Sequence, residues 1–366
     1  MNLVLTCPFG LESIAKKEIE LLGLPIIHSQ DKQITTEYSE KNLAKLNLWS
    51  RVGNKVYIEL ARKDKIDSFD KLFDFVKSIK WSDFILEENP IIVNATSHYS
   101  KLESIPDIQK IGKKAIVESI KSGFLREDDK YPSIFVEIVL LKDTCQILID
   151  TTGEALHKRG YRKQSLEAPL RENLAAGLVL LSSWRFRENF YDIFCGSGTI
   201  VIEAALIAKN IAPGINRTFA FEKFKFIDKE IIKQEREIAK SKILNKSYSI
   251  FGSDIDPEAI KIASNNAEIA GVGDIIKFEL RDYEDFLETP IAGTLVSNPP
   301  YGIRLKDENL EEIYKNLAII FSKNKELKGG VITNFQFGDL LKINYKKRKL
   351  YNGQELCYLY LKSSNN

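Results

Sequence analysis

The sequence predicts a doubly wound α/β domain in its second half, preceded by two small α+β units, and three stretches carry that prediction. The first is FYDIFCGSGT at 190–199. There an apolar run, a glycine turn and an Ala- and Leu-rich continuation read as strand, tight turn and helix. The second is NPPYG at 298–302, directly after the apolar GTLVS. Two consecutive prolines end regular pairing there with a rigid, extended backbone. The third is KRKLYNGQELCYLYLK, with Asn352-Gly353 between two alternating apolar runs, a strong signal for a two-residue hairpin.

In chain order, LVLTC reads as a strand, Leu11 to Leu22 has helical periodicity, and Gly23 stops the helix. Strands at KQITTEY and NKVYIELARK and a helix through KNLAKLNLW complete an α+β unit over residues 1–65. The pattern restarts over 66–155, with a helix at FDKLFDFVKSI, a strand at PIIVNATS and a helix from Ile108 to Ser122. Strands at IFVEIVLLKD and TCQILIDTTG follow, with Asp143 and Thr144 at their turn. Residues 156–168 form a linker crowded with His157, Lys158, Arg159, Arg162 and Lys163. Such a run serves either as a solvated hinge or as an RNA contact. A helix beginning near Pro169 opens the last domain, 169–366, and a first-turn proline suits it. Strands at YDIF, SIFGSD, IIKFELRD, GTLVS and GGVITN then accompany helices ending near Asn210, over Pro257 to Ala270 and over Asn309 to Lys323. Residues 211–247 are an insertion, mostly one charged helix.

Composition narrows the function. The 53 basic and 51 acidic residues leave a net charge of +2, so any nucleic-acid surface must be local. Cys7, Cys145, Cys195 and Cys357 are scattered, which suggests neither a disulfide framework nor a zinc knuckle. His28, His98 and His157 are too dispersed for a metal site, and no metal is expected. The N-terminus lacks a basic segment followed by an apolar run, and no long apolar stretch occurs. A reducing, cytoplasmic setting is the expectation.

Gly196 and Gly198 allow a tight turn and close approach of a ligand to the backbone, beside the unpaired first amides of a helix. A nucleotide-like cofactor suits such a place. Cys195, inside the turn, is read as a small packing residue. An antiparallel hairpin closing a parallel sheet resembles the class I methyltransferases. In that fold an acid ending the second strand accepts the ribose hydroxyls, and Asp254 holds that position with Asp256 as the alternative. Asp282 is placed for the adenine amino group. The acid also lies much further from the glycines than the roughly 20 residues of a dinucleotide fingerprint.

NPPY suits alkylation of an exocyclic amino nitrogen, whose lone pair is otherwise drawn into the ring. The side-chain oxygen of Asn298 and the carbonyl of Pro299, held by Pro300, would accept the two N–H bonds, and Tyr301 would stack on the base.

With these motifs in order, the chain resembles the THUMP-containing RNA guanine-N2 methyltransferases of the RlmL/YpsC type over nearly its whole length. TCPFGLESIAKKEIELLG, LHKRGYR, APLRENLAAGL, DIFCGSGT, GSDIDP and NPPYG carry the likeness. The resemblance implies a Rossmann-like class I methyltransferase domain behind ferredoxin-like and THUMP domains. It implies S-adenosylmethionine as cofactor, with Asp192, Cys195, Gly196 and Gly198 around its methionine part, Asp254 at the ribose and Asp282 at the adenine; Asn298 adjoins both cofactor and substrate. It also implies ribosomal RNA of the large subunit as partner, in preference to transfer RNA. Ile193 stands where the family usually has proline.

The expected reaction is direct methyl transfer to guanine N2, governed by positioning. Lys158, Arg159, Arg162 and Lys163, together with Lys346, Lys347 and Arg348, are the expected RNA contacts. Adenine-N6 DNA methylation and glutamine-N5 protein methylation also use NPPY, and an inactive ribosome-assembly protein is a further rival.

Overall fold

The computed structural model describes residues 1–120, 127–163, 170–301 and 309–362. Its front half is one sheet rather than two. β1 (Asn2–Thr6), α1 (Glu12–Leu21), β2 (Ile26–Gln30), β3 (Gln33–Glu37), α2 (Glu40–Trp49) and β4 (Lys55–Lys63) make the first unit. α3 (Phe69–Lys77), β5 (Ile91–His98), α4 (Ile105–Ser119), β6 (Ile134–Leu141) and β7 (Thr144–Asp150) make the second. Ser39 and Ser68 start α2 and α3 by accepting from the amides of Asn42 and Lys71, as N-caps do. The sheet order is β2-β3-β1-β4-β7-β6-β5. Nine-residue β4 pairs antiparallel with β1 on one edge and with β7 on the other. That junction is invisible in sequence, because either edge of an apolar strand looks alike. β2, PIIHSQ in sequence, was not expected. The β6–β7 turn is Lys142-Asp143, one residue earlier than expected, and both take positive φ, 50° and 61°.

The back half is a second sheet, order β10-β9-β8-β11-β12-β14-β13. Its elements are α5 (Glu172–Leu181), β8 (Phe190–Asp192), α6 (Thr199–Ala208), α7 (Lys229–Ser241), β9 (Ile250–Asp254), α8 (Pro257–Ala270) and β10 (Ile276–Leu280). α9 (Asp285–Glu288), β11 (Gly293–Ser297), α10 (Asn309–Lys323), β12 (Leu327–Thr333), β13 (Tyr345–Asn352) and β14 (Glu355–Lys362) complete it. β8 to β12 are parallel, and β14 joins β12 antiparallel. The order reverses between β8 and β11, and ligands of such sheets bind where strand ends diverge. The expected helix start at Pro169 and the end of the helix expected to reach Ser122 lie outside the described residues.

Register corrects the terminal turn. Asn352 pairs with Glu355, so the two loop residues are Gly353 and Gln354. Gly353, at φ +66°, supplies the left-handed first position that a side chain would strain. Asn352 is thereby released from the turn.

The basic linker is a lock, which corrects two of the expected RNA contacts. Arg159 is buried; it pairs with Glu203 of α6 at 3.4 Å and donates to the carbonyls of Leu156 and Arg51. The Tyr161 hydroxyl donates to the same Glu203 oxygen at 3.1 Å. Arg162 donates to the Leu170 carbonyl at 2.8 Å and to Glu172 at 2.9 Å. A guanidinium so committed is not offered to phosphate. Lys158 and Lys163 remain exposed, Lys158 beside Glu154 at 2.9 Å.

Candidate active site

The site lies at the ends of β8, β9 and β11. Asp192, the last residue of β8, is buried, and its Oδ1 accepts from the Ser297 hydroxyl at 2.7 Å and from the Phe194 amide at 3.2 Å. Ser297 accepts in turn from the Ile193 amide at 3.0 Å, so one hydroxyl ties the ends of β8 and β11 together. Burial pushes the Asp192 carboxyl up to about 7, with nearby Asp254 adding to the rise.

Gly196 and Gly198 both take positive φ, 50° and 81°. A β-carbon on Gly198 would meet that of Ala263 at 3.0 Å. This glycine therefore lets the start of α6 pack on α8. Asp254 fastens the turn from the other side. Its Oδ2 accepts from the Gly196 amide at 2.9 Å and its Oδ1 from the Asp256 amide at 3.1 Å. A carboxylate has about four acceptor positions, so Asp254 retains capacity for hydroxyls. Asp256 is the N-cap of α8, accepting from the Glu258 amide at 2.8 Å. The Cys195 thiol is buried, and burial with the nearby Asp192 and Asp254 pushes its pKa well up. It packs as an uncharged thiol.

On the far side, Asp282 accepts from the Glu284 amide at 3.0 Å in a local turn. Tyr283 stacks on Phe194 at 5.0 Å between ring centroids. Between the two acids of β9's end, Ile255 is 68% exposed, an apolar surface where a ring could lie. Sequence reasoning missed it, although an apolar residue between two strand-end acids was the signal.

Asn298 follows β11, and its Oδ1 is buried without a hydrogen-bond partner among the described residues. An orphaned acceptor costs free energy unless something binds it. Two prolines fix the chain beyond it, and the Tyr314 hydroxyl donates to the Pro300 carbonyl at 3.1 Å. Tyr314 is itself held against Thr333 at 2.6 Å and stacked on Phe335. Tyr314 was not singled out from sequence. Tyr301 departs from expectation. It is 1% exposed within the main core cluster, and its hydroxyl accepts from Asn352 Nδ2 at 3.2 Å. A ring so enclosed is an anchor of the motif and not a face for stacking. Gly302 lies outside the described residues.

Arg348 is likewise spent. Its guanidinium donates to the Gly10 carbonyl and to Ser13, both at 2.8 Å, docking the terminal hairpin on the N-terminal domain. Lys346 and Lys347 are exposed, Lys347 over the Tyr358 ring at 4.1 Å. Among the described residues no group of three or more His, Cys, Asp or Glu could hold a metal ion, and no helix is long and apolar enough to cross a membrane.

A glycine turn at the switch point of a parallel sheet closed by an antiparallel hairpin, facing an unpaired NPPY acceptor, defines a class I methyltransferase. The chain belongs to the RMKL-like methyltransferase family, whose domain matches residues 159–350, with an RlmL ferredoxin-like domain at 2–57 and a THUMP domain at 67–150. It is 40% identical to "Putative RNA methyltransferase YpsC" of Bacillus subtilis (strain 168), over 96% of this chain and 93% of that one. It is 31% identical to "Ribosomal RNA large subunit methyltransferase K/L" of Marinomonas sp. (strain MWYL1), over 86% of this chain but 46% of that longer one. The solved structure of SMU.472, "a putative methyltransferase complexed with SAH", superposes with a TM-score of 0.91 at 36% identity, covering 100% of this chain and 98% of that one. The protein is an S-adenosylmethionine-dependent RNA methyltransferase.

Proposed function

We propose that this enzyme methylates N2 of a guanine in large-subunit ribosomal RNA, in the cytoplasm. The unpartnered Oδ1 of Asn298 carries the proposal: among the described residues it is a buried acceptor with no donor, just past the end of β11. The naming of the longer Marinomonas relative supports the choice of ribosomal RNA over transfer RNA.

When bound, S-adenosylmethionine supplies an electrophilic methyl group. Asp254 would accept the ribose hydroxyls with the capacity its two turn bonds leave, Ile255 would lie along the adenine face, and Asp282 would accept from the adenine amino group. Asp192, Gly196 and Gly198 shape the turn around the methionine part. Asn298 Oδ1 and the Pro299 carbonyl would accept the two N–H bonds of the guanine amino group and turn its lone pair toward the methyl carbon. The methyl group that the cofactor would supply would go to that lone pair, and the amino group would give up one proton in exchange. Positioning of this kind accounts for large rate factors without a covalent enzyme intermediate.

Mass mapping of modified guanines in ribosomal RNA from a deletion strain tests the assignment. One N2-methylguanine should vanish from the large subunit and return with the wild-type gene but not with Asn298→Ala. Unchanged large-subunit guanines would refute it.

A further inference from the structure

The N-terminal domain, the start of α5 and the terminal hairpin meet around a pocket of about 230 Å³. Phe9 and Lys32 line it from the N-terminal domain, Arg171 and Asn173 from α5, and Tyr351 and Gly353 from the hairpin. It is separate from the cofactor turn, yet it lies on the catalytic face. Tyr358 of β14 pairs with Thr333, the last residue of β12, so the hairpin turn projects past the same strand ends as NPPY. Asn352, between pocket residues Tyr351 and Gly353, is the residue bonded to Tyr301.

Three observations give the pocket a chemistry. The first is charge: neither the Lys32 ammonium nor the Arg171 guanidinium has an ion-pair or hydrogen-bond partner among the described residues, unlike Arg159 and Arg162, which are fully engaged. The second is aromatic: Phe9 and Tyr351, brought from opposite ends of the chain, meet edge to face at 5.9 Å. The third is a buried acceptor. Asn173 is 0% exposed and donates through Nδ2 to Asn54 at 2.8 Å and to the Gly53 carbonyl at 3.2 Å, while its Oδ1 has no partner among the described residues. A purely structural junction would pair its cations and satisfy its amide.

Cations, aromatic rings and a spare acceptor within one pocket match a nucleotide. We propose that this pocket is a subsite for a nucleotide of the RNA strand next to the target base. The proposal rests on the reading of the enzyme as one that takes RNA. The neighbouring phosphate lies with Lys32 and Arg171, where the N-terminus of α5 also favours negative charge. The base lies against Phe9 and Tyr351, as bases do on aromatic platforms. Asn173 accepts from a ribose hydroxyl or base N–H. Holding the next nucleotide apart from the target keeps the extruded base from restacking on it.

The test uses the full chain and a single-stranded oligoribonucleotide carrying 4-thiouridine beside an unmethylated guanine. The charge-reversed variant Lys32→Glu/Arg171→Glu should bind it at least about tenfold more weakly, with the slope of log affinity against log salt reduced by about 1. Its thermal midpoint and S-adenosylmethionine affinity should be unchanged. Tyr351→Leu should weaken binding by roughly five- to a hundredfold while Tyr351→Phe does not, and photocrosslinks should map to Phe9 or Tyr351. Undiminished affinity in folded variants, or crosslinks confined elsewhere, would overturn the subsite. Methylation of an atom other than guanine N2 with these losses present would overturn the guanine assignment and leave the subsite standing. Normal guanine-N2 methylation with no loss in any variant would overturn the subsite alone.

Discussion

Asn352, in the last turn of the chain, donates a hydrogen bond to the hydroxyl of Tyr301, the tyrosine of NPPY. The terminal hairpin therefore holds the NPPY motif directly. If this contact sets the aim of Asn298, Tyr301→Phe and Asn352→Ala should each slow single-turnover methyl transfer by roughly two- to tenfold, the worth of one neutral hydrogen bond. Cofactor affinity should stay the same. The double variant should be no slower than the worse single one. A Tyr301→Phe enzyme at full speed would show that the hydroxyl is dispensable and that ring packing alone anchors the motif.

Gly198 presses on α8, so its replacement acts on stability before it acts on the cofactor. Gly198→Ala forces a β-carbon into a left-handed backbone and against Ala263. It should destabilise the protein by about 1–3 kcal/mol, read as a lower thermal midpoint that accompanies any loss of S-adenosylmethionine binding. Lost binding at an unchanged midpoint would place the ligand, and not α8, against this glycine.

The two basic clusters should separate cleanly. Arg159→Ala removes the ion-pair partner of buried Glu203 and should cost about 3–5 kcal/mol of stability, measured by denaturant unfolding. Lys346→Glu/Lys347→Glu should leave stability nearly untouched but lower the salt slope of RNA binding by about 1–2. If the second variant binds RNA with the original slope, the exposed lysines are merely a charged strand edge that resists aggregation.

Asp192 gives the ligand-free protein a pH dependence. Its carboxyl is pushed from an ordinary 3.8 to about 7 by burial, so the folded state holds that proton more tightly than the unfolded state. This contribution is complete below roughly pH 4 and is lost as pH rises through about 7. Burial of Glu18, also pushed up to about 7, acts with the same sign. The thermal midpoint should fall between about pH 4 and 8. Asp192→Asn, which keeps the acceptor for Ser297 and Phe194, should flatten that fall. Parallel curves for the two proteins would mean that the proton resides elsewhere.

Much of this was legible in sequence because it depends on neighbours along the chain. The glycine turn, the strand-end acids and NPPY each announce themselves within a few residues, and the fold places Asp192, Gly196, Asp254 and Asn298 around one set of strand ends. What sequence hid depends on partners far away. Arg159 looked like a solvent-facing cation because Glu203 and the Arg51 carbonyl lie 44 and 108 positions off. Tyr301 looked available because nothing near it shows that the last hairpin closes over it. The terminal turn was misplaced by one residue because Asn-Gly fits either register, and only the pairing of Asn352 with Glu355 decides. The pocket around Arg171 was silent for the same reason: it gathers residues from three separate parts of the chain.

The nine residues of β4 have one further consequence. That strand hydrogen-bonds both units of the front half, and Arg159 and Arg348 bolt that half to the catalytic domain at two places, so the THUMP module is tied to the domain that carries NPPY. An RNA gripped by the THUMP module would then present its guanine to NPPY only when the two features are separated by the span of the folded chain. Inserting or deleting helical turns between those two RNA features should abolish methylation stepwise, even where every contacted nucleotide is retained.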